Sequence, residues 1–116
     1  MRRYYISHPY TGNEEKNRAE VARIQRELQE RYPEVLFLNP LAMFAPLADL
    51  PYEQVMRYCL EMLKSCNVIV MAGDYVYSKG CLREFDEAIA RRIPTTVYTG
   101  DKDAPLMHTQ LMHEPR

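Results

Sequence analysis

The stretch NVIVMAGDYVYSKGCLRE, residues 67–84, contains a strand, a loop and the start of a helix. The apolar run NVIVMA predicts a strand that is buried on both faces, because it lacks the alternation of a half-exposed strand. After the loop GDYVYSKG, a helix is predicted over about 79–92, with Leu82, Phe85 and Ile89 facing the core. A buried strand followed by a helix is part of a βαβ unit, from which parallel sheets are built.

The rest of the chain continues this alternation. Further strands are predicted at 3–7 (RYYIS), 35–40 (VLFLNP) and 95–99 (TTVYT), the second of them also buried on both faces. Helices are predicted at 13–31 and from Pro51 onwards. Strands that alternate with helices predict a single α/β domain in three layers, with helices on both faces of a parallel sheet of four to five strands.

Composition excludes several classes of protein. The 116 residues carry 15 basic and 16 acidic side chains, so no binding surface for a nucleic-acid polymer is expected. No apolar run is long enough to span a membrane, and the N-terminus has no signal-peptide pattern, so a cytoplasmic location is expected. The 3 cysteines form no CxxC pair, and His108 and His113 do not share a helical face, so no metal site is expected.

The segment NPLAMFAPLADLP, residues 39–51, is predicted to be a long apolar loop. Loops of this kind often act as lids or interfaces, and a homo-oligomer is therefore expected. The irregular tail at 101–116 is predicted to be a short extra element or a segment that docks on a neighbouring subunit. Aromatic residues above the strand ends favour either an aromatic slot for a base or ordinary packing. They are Tyr10, Phe44, Tyr75 and Tyr77.

Ligands of parallel sheets bind at the carboxyl ends of the strands, where the loops 8–12 and 73–80 are predicted to lie. Ser78 and Gly80 open a helix, which favours either an anion site or a plain N-cap serine. Glu84 follows in the second turn and has small neighbours on its ridge, Gly80, Cys81 and Ala88. Such a glutamate is either a nucleophile that faces the ligand or an ordinary surface residue.

Two segments resemble the nucleoside 2-deoxyribosyltransferase-like proteins. YISHPYTG, residues 5–12, is similar to the family opening YISGPxTG. The block CNVIVMAGDYVYSKGCLRE is similar to CDxIxxLxGWxxSxGAxxExxxA, with Ser78, Gly80 and Glu84 at matching spacing. The resemblance covers about residues 4–98 and implies a flavodoxin-like or Rossmann-like parallel sheet, order 2-1-3-4(-5), in an oligomer.

The resemblance also implies roles for individual residues. Glu84 matches the glutamate that attacks the anomeric carbon of the sugar to give a glycosyl-enzyme, and Tyr5 matches its tyrosine partner. Ser78 matches the serine that binds the 5'-phosphate in the hydrolase branch. No cofactor or metal is implied. Pro9, Tyr10, Thr11 and Gly12 match the family segment that wraps the sugar and phosphate. The full set of residues expected to bind substrate is Ser78, Gly80, His8, Pro9, Tyr10, Thr11, Gly12 and Asn39.

The sequence departs from the family pattern at three positions. His8 replaces a glycine, Cys59 replaces an aspartate thought to help with the sugar or the leaving base, and Asn67 replaces the aspartate of the CD pair. Asp49 and Asp74 are candidate substitutes for the missing carboxylate. The implied function is an N-glycosidase of nucleosides or nucleoside 5'-monophosphates, either a hydrolase or a 2-deoxyribosyltransferase. The alternative is a catalytically silent nucleotide-binding or assembly protein on the same fold.

Overall fold

The structure is a computed structural model, and it describes residues 1–101 and 104–108. The strands are β1 (Arg2–Ser7), β2 (Val35–Leu38), β3 (Val68–Met71), β4 (Thr95–Val97) and β5 (Met107–His108). The α-helices are α1 (Glu14–Arg31), α2 (Pro40–Met43), α3 (Tyr52–Lys64) and α4 (Lys79–Ala90). None of the helices in this part of the chain is long and apolar enough to cross a membrane.

The strands form a sheet in the order β2-β1-β3-β4-β5. The predicted parallel arrangement of the first four strands is confirmed, with Tyr5 paired to Leu38 on one side and to Ile69 on the other. The predicted fifth strand lies beyond β4 as expected, but the short β5 pairs antiparallel with β4, so the parallel arrangement covers the first four strands. An antiparallel strand at the edge needs no crossover helix, which is why a short segment of the tail can supply it.

The helices pack on both faces of the sheet, and successive residues of a strand point into different layers. Tyr5 of β1 and Ile69 of β3 pack in the layer under α3 and α4. Ile6 and Val70, their neighbours in the chain, pack in the layer under α1. This alternation follows from the two-residue period of a strand, and it makes β1 and β3 the centre of the three-layer fold.

The buried face of α4 differs from the one predicted. Leu82 and Ile89, expected in the core, are 44% and 37% exposed, whereas Cys81, Glu84 and Ala88 are buried. The helix is therefore turned by about one residue from the orientation that hydropathy favours. The reason is that the buried carboxylate of Glu84 finds hydroxyl donors in the sheet, which hydropathy alone does not reveal.

Two further predictions need correction. β2 is an edge strand, and Leu36 on its outer face is exposed, so it is not buried on both faces as β3 is. The segment 39–51 is not a plain loop, because it contains α2 and a 3₁₀ turn at Ala45–Leu47. Asn39 caps α2 by accepting a hydrogen bond from the backbone N–H of Ala42, and Pro40 occupies the first turn.

Candidate active site

A cleft of about 940 Å³ opens above the carboxyl ends of β1 and β3. The loop after β1 and the first half of α1 form one wall, and the start of α4 forms the opposite one. The segment 40–50 and α3 supply an apolar side that includes Phe44, Val55 and Met56. Pockets of roughly 300–1,000 Å³ hold small organic ligands, so the cleft is large enough for a nucleotide.

Glu84 lies in this cleft, and its carboxylate is fixed from below by β1. The hydroxyl of Tyr5 donates to Oε2 at 2.5 Å, and the hydroxyl of Ser7 donates to Oε1 at 2.7 Å. Tyr5 and Ser7 are fully buried, and Glu84 retains 5% of its surface. The two hydroxyls orient the carboxylate, while only Glu84 of the three lines the cleft.

Burial controls the ionisation of this group. Burial raises the pKa of the Glu84 carboxyl to about 7, and the hydrogen bonds from Tyr5 and Ser7 lower it towards its ordinary value without overcoming burial. Burial, followed by the charge of Glu84, raises the pKa of the Tyr5 phenol well above its ordinary value. Tyr5 is therefore a proton donor to a hydrogen bond, and Glu84 changes charge near neutral pH.

Two buried thiols complete the surroundings of Glu84. Cys59 of α3 lies beside Tyr5, and burial together with the Glu84 charge raises the pKa of its thiol to about 12. Burial also raises the pKa of the Cys81 thiol to about 11. Both thiols line the cleft in their neutral form. The position where the resembled family has a carboxylate therefore carries an uncharged group of low acidity.

Ser7 is absent from the residues that the sequence singles out, although a signal for it exists. Side chains two positions apart in a strand point to the same face. Once Tyr5 is assigned to the site, Ser7 is the next residue of β1 on that face and the last before the loop. Its hydroxyl supplies the second donor to Glu84.

The imidazole of His8 is buried inside the wall of the cleft. Its Nδ1 lies 2.8 Å from the carbonyl oxygen of Pro9, and its Nε2 lies 2.6 Å from Oε1 of Glu20 in α1. Gly73 faces the ring, and a Cβ at that position would stand 2.7 Å from Nε2. His8 therefore ties the first loop to α1 and to the end of β3, and both of its nitrogens are in use.

The N-terminus of α4 supplies polar groups to the opposite wall. The hydroxyl oxygen of Ser78 accepts from the backbone N–H of Cys81 at 3.1 Å, which leaves its proton available for a ligand. Lys79 is exposed at the same rim. Gly80 also lines the cleft, but a Cβ there would meet Met56 at 3.2 Å, so close packing of α4 on α3 accounts for the glycine.

Across the cleft, the loop after β1 presents the remaining residues assigned to substrate binding. Pro9, Tyr10, Thr11 and Gly12 all line the cleft. Arg18 of α1 donates to the hydroxyl of Tyr10 at 2.8 Å and lies over its ring. This pair places a cation beside the loop, on the side of the cleft opposite Lys79.

Several residues singled out by the sequence lie elsewhere. Asn39 does not line the cleft, because its side chain caps α2 and donates to Gln25 at 3.0 Å. Asn67 accepts from the backbone N–H of Arg3 at 2.8 Å, so it joins β3 to β1 below the site. Asp49 is outside the cleft, whereas Asp74 is exposed at its rim.

The aromatic residues divide in the same way. Tyr10, Phe44 and Tyr77 line the cleft, and Tyr77 is highly exposed. Tyr75 packs against the core layer of α3 and α4 instead. Phe44 lines the cleft and also packs against that core layer, with its ring centroid 6.1 Å from that of Tyr58.

Comparison with known proteins identifies the family of the chain and supports its fold. Residues 2–98 match the family described as a domain of unknown function (DUF4406). The chain belongs to this family. The strand β1, which carries Tyr5 and Ser7, and the helix α4, which carries Glu84, both lie inside the matched DUF4406 region.

Among solved structures, this DUF4406 chain is similar to the 2-deoxyribosyltransferase of the psychrotolerant bacterium Bacillus psychrosaccharolyticus. The TM-score is 0.62 at 18% identity, over 82% of this chain and 70% of that one. A likeness at this identity establishes the shared fold, the flavodoxin-like α/β arrangement that the sequence predicts. None of the curated proteins matches the chain significantly.

The described residues contain no group of three or more His, Cys, Asp or Glu that could hold a metal ion. At the floor of the cleft the structure brings together a buried carboxylate, its two hydroxyl donors and two neutral thiols. A carboxylate held in this way can act as a nucleophile or stabilise a developing positive charge.

Proposed function

We propose that the chain is an N-glycosidase of nucleosides or nucleoside 5'-monophosphates, with Glu84 as the nucleophile. The observation that carries this proposal is the Glu84 carboxylate, which lies in the cleft with one hydroxyl bonded to each oxygen. A solvated surface glutamate has no need of two buried donors. The 2-deoxyribosyltransferase of similar fold supports a nucleoside as the substrate.

In the proposed reaction, Glu84 attacks C1' of the sugar as the bond from C1' to the base nitrogen breaks. The transition state has oxocarbenium character, which the adjacent carboxylate stabilises before it forms the covalent ester. Tyr5 and Ser7 hold the carboxylate in place, so no reorganisation is needed at the moment of attack. Water then cleaves the ester in a hydrolase, and a second base does so in a transferase.

The two walls of the cleft divide the rest of the substrate between them. Ser78 offers a hydroxyl proton at the N-terminus of α4, where free backbone N–H groups favour an anion such as a 5'-phosphate. The loop from Pro9 to Gly12 covers the sugar from the other side. Phe44 and the apolar side then receive the base.

One observation favours the alternative, a nucleotide-binding or assembly protein without catalysis. The thiol of Cys59 occupies the position at which the resembled family has an aspartate, and it is neutral. A binding protein with this cleft would keep the anion-binding end at Ser78 and need no acid. The experiment below separates the two, because binding alone releases no base.

The test is base release by the pure protein from a panel of nucleosides and 5'-monophosphates, ribo and deoxy, resolved by chromatography. Each substrate is also tried with a second free base as acceptor. Glu84→Gln removes the nucleophile and keeps the shape, and we expect release to fall by at least about 10³-fold. Glu87→Gln is the matched control, since Glu87 lies one turn away, outside the cleft, and pairs with Arg91. If no substrate gives base release that depends on Glu84, the proposed enzymatic function is wrong.

We also propose that the chain forms a homo-oligomer. The outer face of α4 carries Leu82 and Ile89, two turns apart and both exposed. Apolar side chains on one helical face fit a self-complementary contact between two copies related by a twofold axis. Burial of this face in an oligomer would account for the two apolar side chains that α4 exposes.

A further inference from the structure

The surroundings of Glu84 supply a nucleophile without supplying an acid. The hydroxyl protons of Tyr5 and Ser7 are both directed at the Glu84 carboxylate. Cys59 and Cys81, the thiols that line the cleft near it, are neutral. A general acid works best when its pKa is near the operating pH, and these thiols lie far above neutrality.

The other carboxyl groups that line the described cleft are no better placed. Glu20 is bonded to His8 at 2.6 Å, and His8 uses its second nitrogen on the Pro9 carbonyl. Asp74 is exposed at the rim, beyond β3, whereas Glu84 is buried at the floor. Glu84 itself holds no proton once it is ionised to attack.

We propose that this site selects N-glycosides whose heterocycle is already cationic, such as N-ribosyl pyridinium compounds or N7-alkylated purine nucleotides. This inference rests on the proposed N-glycosidase function. When Glu84 forms its bond to C1', the electron pair of the broken C1'–N bond goes to the cationic nitrogen. The heterocycle then leaves as a neutral molecule, and no proton is needed.

The second half of the reaction balances in the same way. Water attacks C1' of the glycosyl-enzyme, the C1'–O bond to Glu84 breaks, and its electron pair restores the carboxylate. The proton released from water passes to solvent. A neutral purine or pyrimidine would instead leave as an anion. Of the described groups that surround Glu84, the two hydroxyls are bonded to its carboxylate and the two thiols are too weakly acidic to protonate that anion.

The walls of the cleft suit a cationic ring. The aromatic side chains of Phe44 and Tyr77 both line the cleft. Aromatic faces attract cations, and the attraction is stronger where water is excluded. The cationic side chains of the cleft, such as Lys79 and Arg18, lie at α4 and α1, on the sides assigned to the phosphate and the loop.

The experiment compares two substrates that differ by one methyl group, 2'-deoxyguanosine 5'-monophosphate and its N7-methyl derivative. Base release by the wild-type protein is measured at about pH 8, where Glu84 is ionised. The ratio of kcat/KM for the cationic over the neutral substrate is compared with the ratio of their non-enzymatic rates in the same buffer. Nicotinamide mononucleotide is a second cationic probe.

An enzyme that supplies no proton leaves the intrinsic difference in reactivity between the cationic and the neutral substrate unchanged. We therefore expect the enzymatic and non-enzymatic ratios to agree within about tenfold. A general acid contributes roughly 10²–10⁴-fold and would do so for the neutral substrate alone. An enzymatic ratio compressed by more than tenfold therefore overturns the inference while leaving the N-glycosidase standing. If Glu84→Gln releases as much base as the wild type from both substrates, the inference and the proposed function fall together.

Cys59→Asp provides a second measurement. It places a carboxyl at the thiol's position in the cleft, and we expect the ratio of cationic to neutral turnover to fall by about tenfold or more. Cys59→Ser is the matched variant without a carboxyl, and we expect it to keep the wild-type ratio. A folded Cys59→Asp protein whose ratio stays at the wild-type value would place the leaving base away from Cys59 and overturn the inference. If the variant fails to fold, the wild-type comparison still decides.

Discussion

The hydroxyl of Tyr5 donates a 2.5 Å hydrogen bond to Oε2 of Glu84, a residue 79 positions further along the chain. The bond joins the central strand β1 to α4 through the buried layer between them. It has two consequences for the proposed nucleophile, because it orients the carboxylate and lowers a pKa that burial has raised. Each consequence can be measured separately.

Tyr5→Phe removes this donor and keeps the ring. A hydrogen bond to a charged group contributes about 1.5–3 kcal/mol, or about one to two pKa units. We expect the acidic limb of the pH–activity profile to move up by about one unit, and kcat/KM at neutral pH to fall about tenfold. Tyr4→Phe is the control, since Tyr4 packs on Phe37 on the other face of β1. A lower rate with an unmoved profile would show that Tyr5 does not tune the charge of Glu84.

The wild-type protein should lose activity as the pH falls through about 7. Glu84 attacks only as the carboxylate, and burial raises its pKa to about 7, so protonation removes the nucleophile below that pH. We expect kcat/KM to decrease about tenfold for each pH unit on the acidic side. The measurement is base release across a buffer series, with the folded state confirmed by circular dichroism. An acidic limb centred near the ordinary pKa of a glutamate would contradict the raised pKa of Glu84 and show that its hydrogen bonds outweigh burial.

Glu84→Gln should stabilise the fold at alkaline pH. The folded-state pKa is raised, so the stability contributed by Glu84 is fully present below its unfolded pKa and is lost as pH rises through about 7. Glutamine has no charge to bury, and the expected gain in the free energy of unfolding above pH 7 is on the order of 3 kcal/mol. Urea denaturation at acidic and alkaline pH measures it, with Glu87→Gln as control. An equal effect at both pH values would assign the change to packing instead.

The parallel sheet could be predicted because the apolar composition of β3 indicates a strand buried on both faces, which is typical of parallel sheets. NVIVMA has no polar alternation, and all residues of Val68–Met71 are buried. The face of α4 could not be predicted in this way. Its hydropathy favours Leu82 and Ile89, but the observed face buries Glu84, which is stable only because Tyr5 and Ser7 reach it from a distant part of the sequence.

The candidate site shows the same limit. The sequence identifies Ser78 and Glu84 as candidate site residues because they lie at the start of a helix, and the loop 8–12 because it follows a strand. Nothing local indicates that the side chain of Asn39 caps α2, or that His8 pairs with Glu20 of α1. Side-chain partners across elements depend on packing, and short-range pattern does not specify them.

The outer face of α4 provides a test of the proposed oligomer. Light scattering of the wild-type protein should give a mass that is a multiple of the 13.7 kDa chain. Leu82→Lys with Ile89→Lys places charges where two apolar side chains are exposed, so we expect the mass to fall towards that of one chain. Val76→Lys, an exposed change outside α4 and outside the segment 39–51, is the control and should leave the mass unchanged. If the wild-type protein has the mass of a single chain, the proposal of a homo-oligomer is wrong.

Gly73 and Gly100 form a matched pair that isolates the role of His8. Both have positive φ, +66° and +87°, so alanine strains the backbone at either position. At Gly100 the added Cβ meets nothing within 4 Å, whereas at Gly73 it would stand 2.7 Å from Nε2 of His8. We expect Gly100→Ala to cost about 1–2 kcal/mol of stability from strain alone.

Gly73→Ala should cost more stability than Gly100→Ala, because the imidazole of His8 must leave Glu20. It should also weaken nucleotide binding by displacing the loop after β1. Chemical denaturation and calorimetric titration measure the two effects, and equal losses from both substitutions would show that the His8 contact contributes nothing to the wall of the cleft.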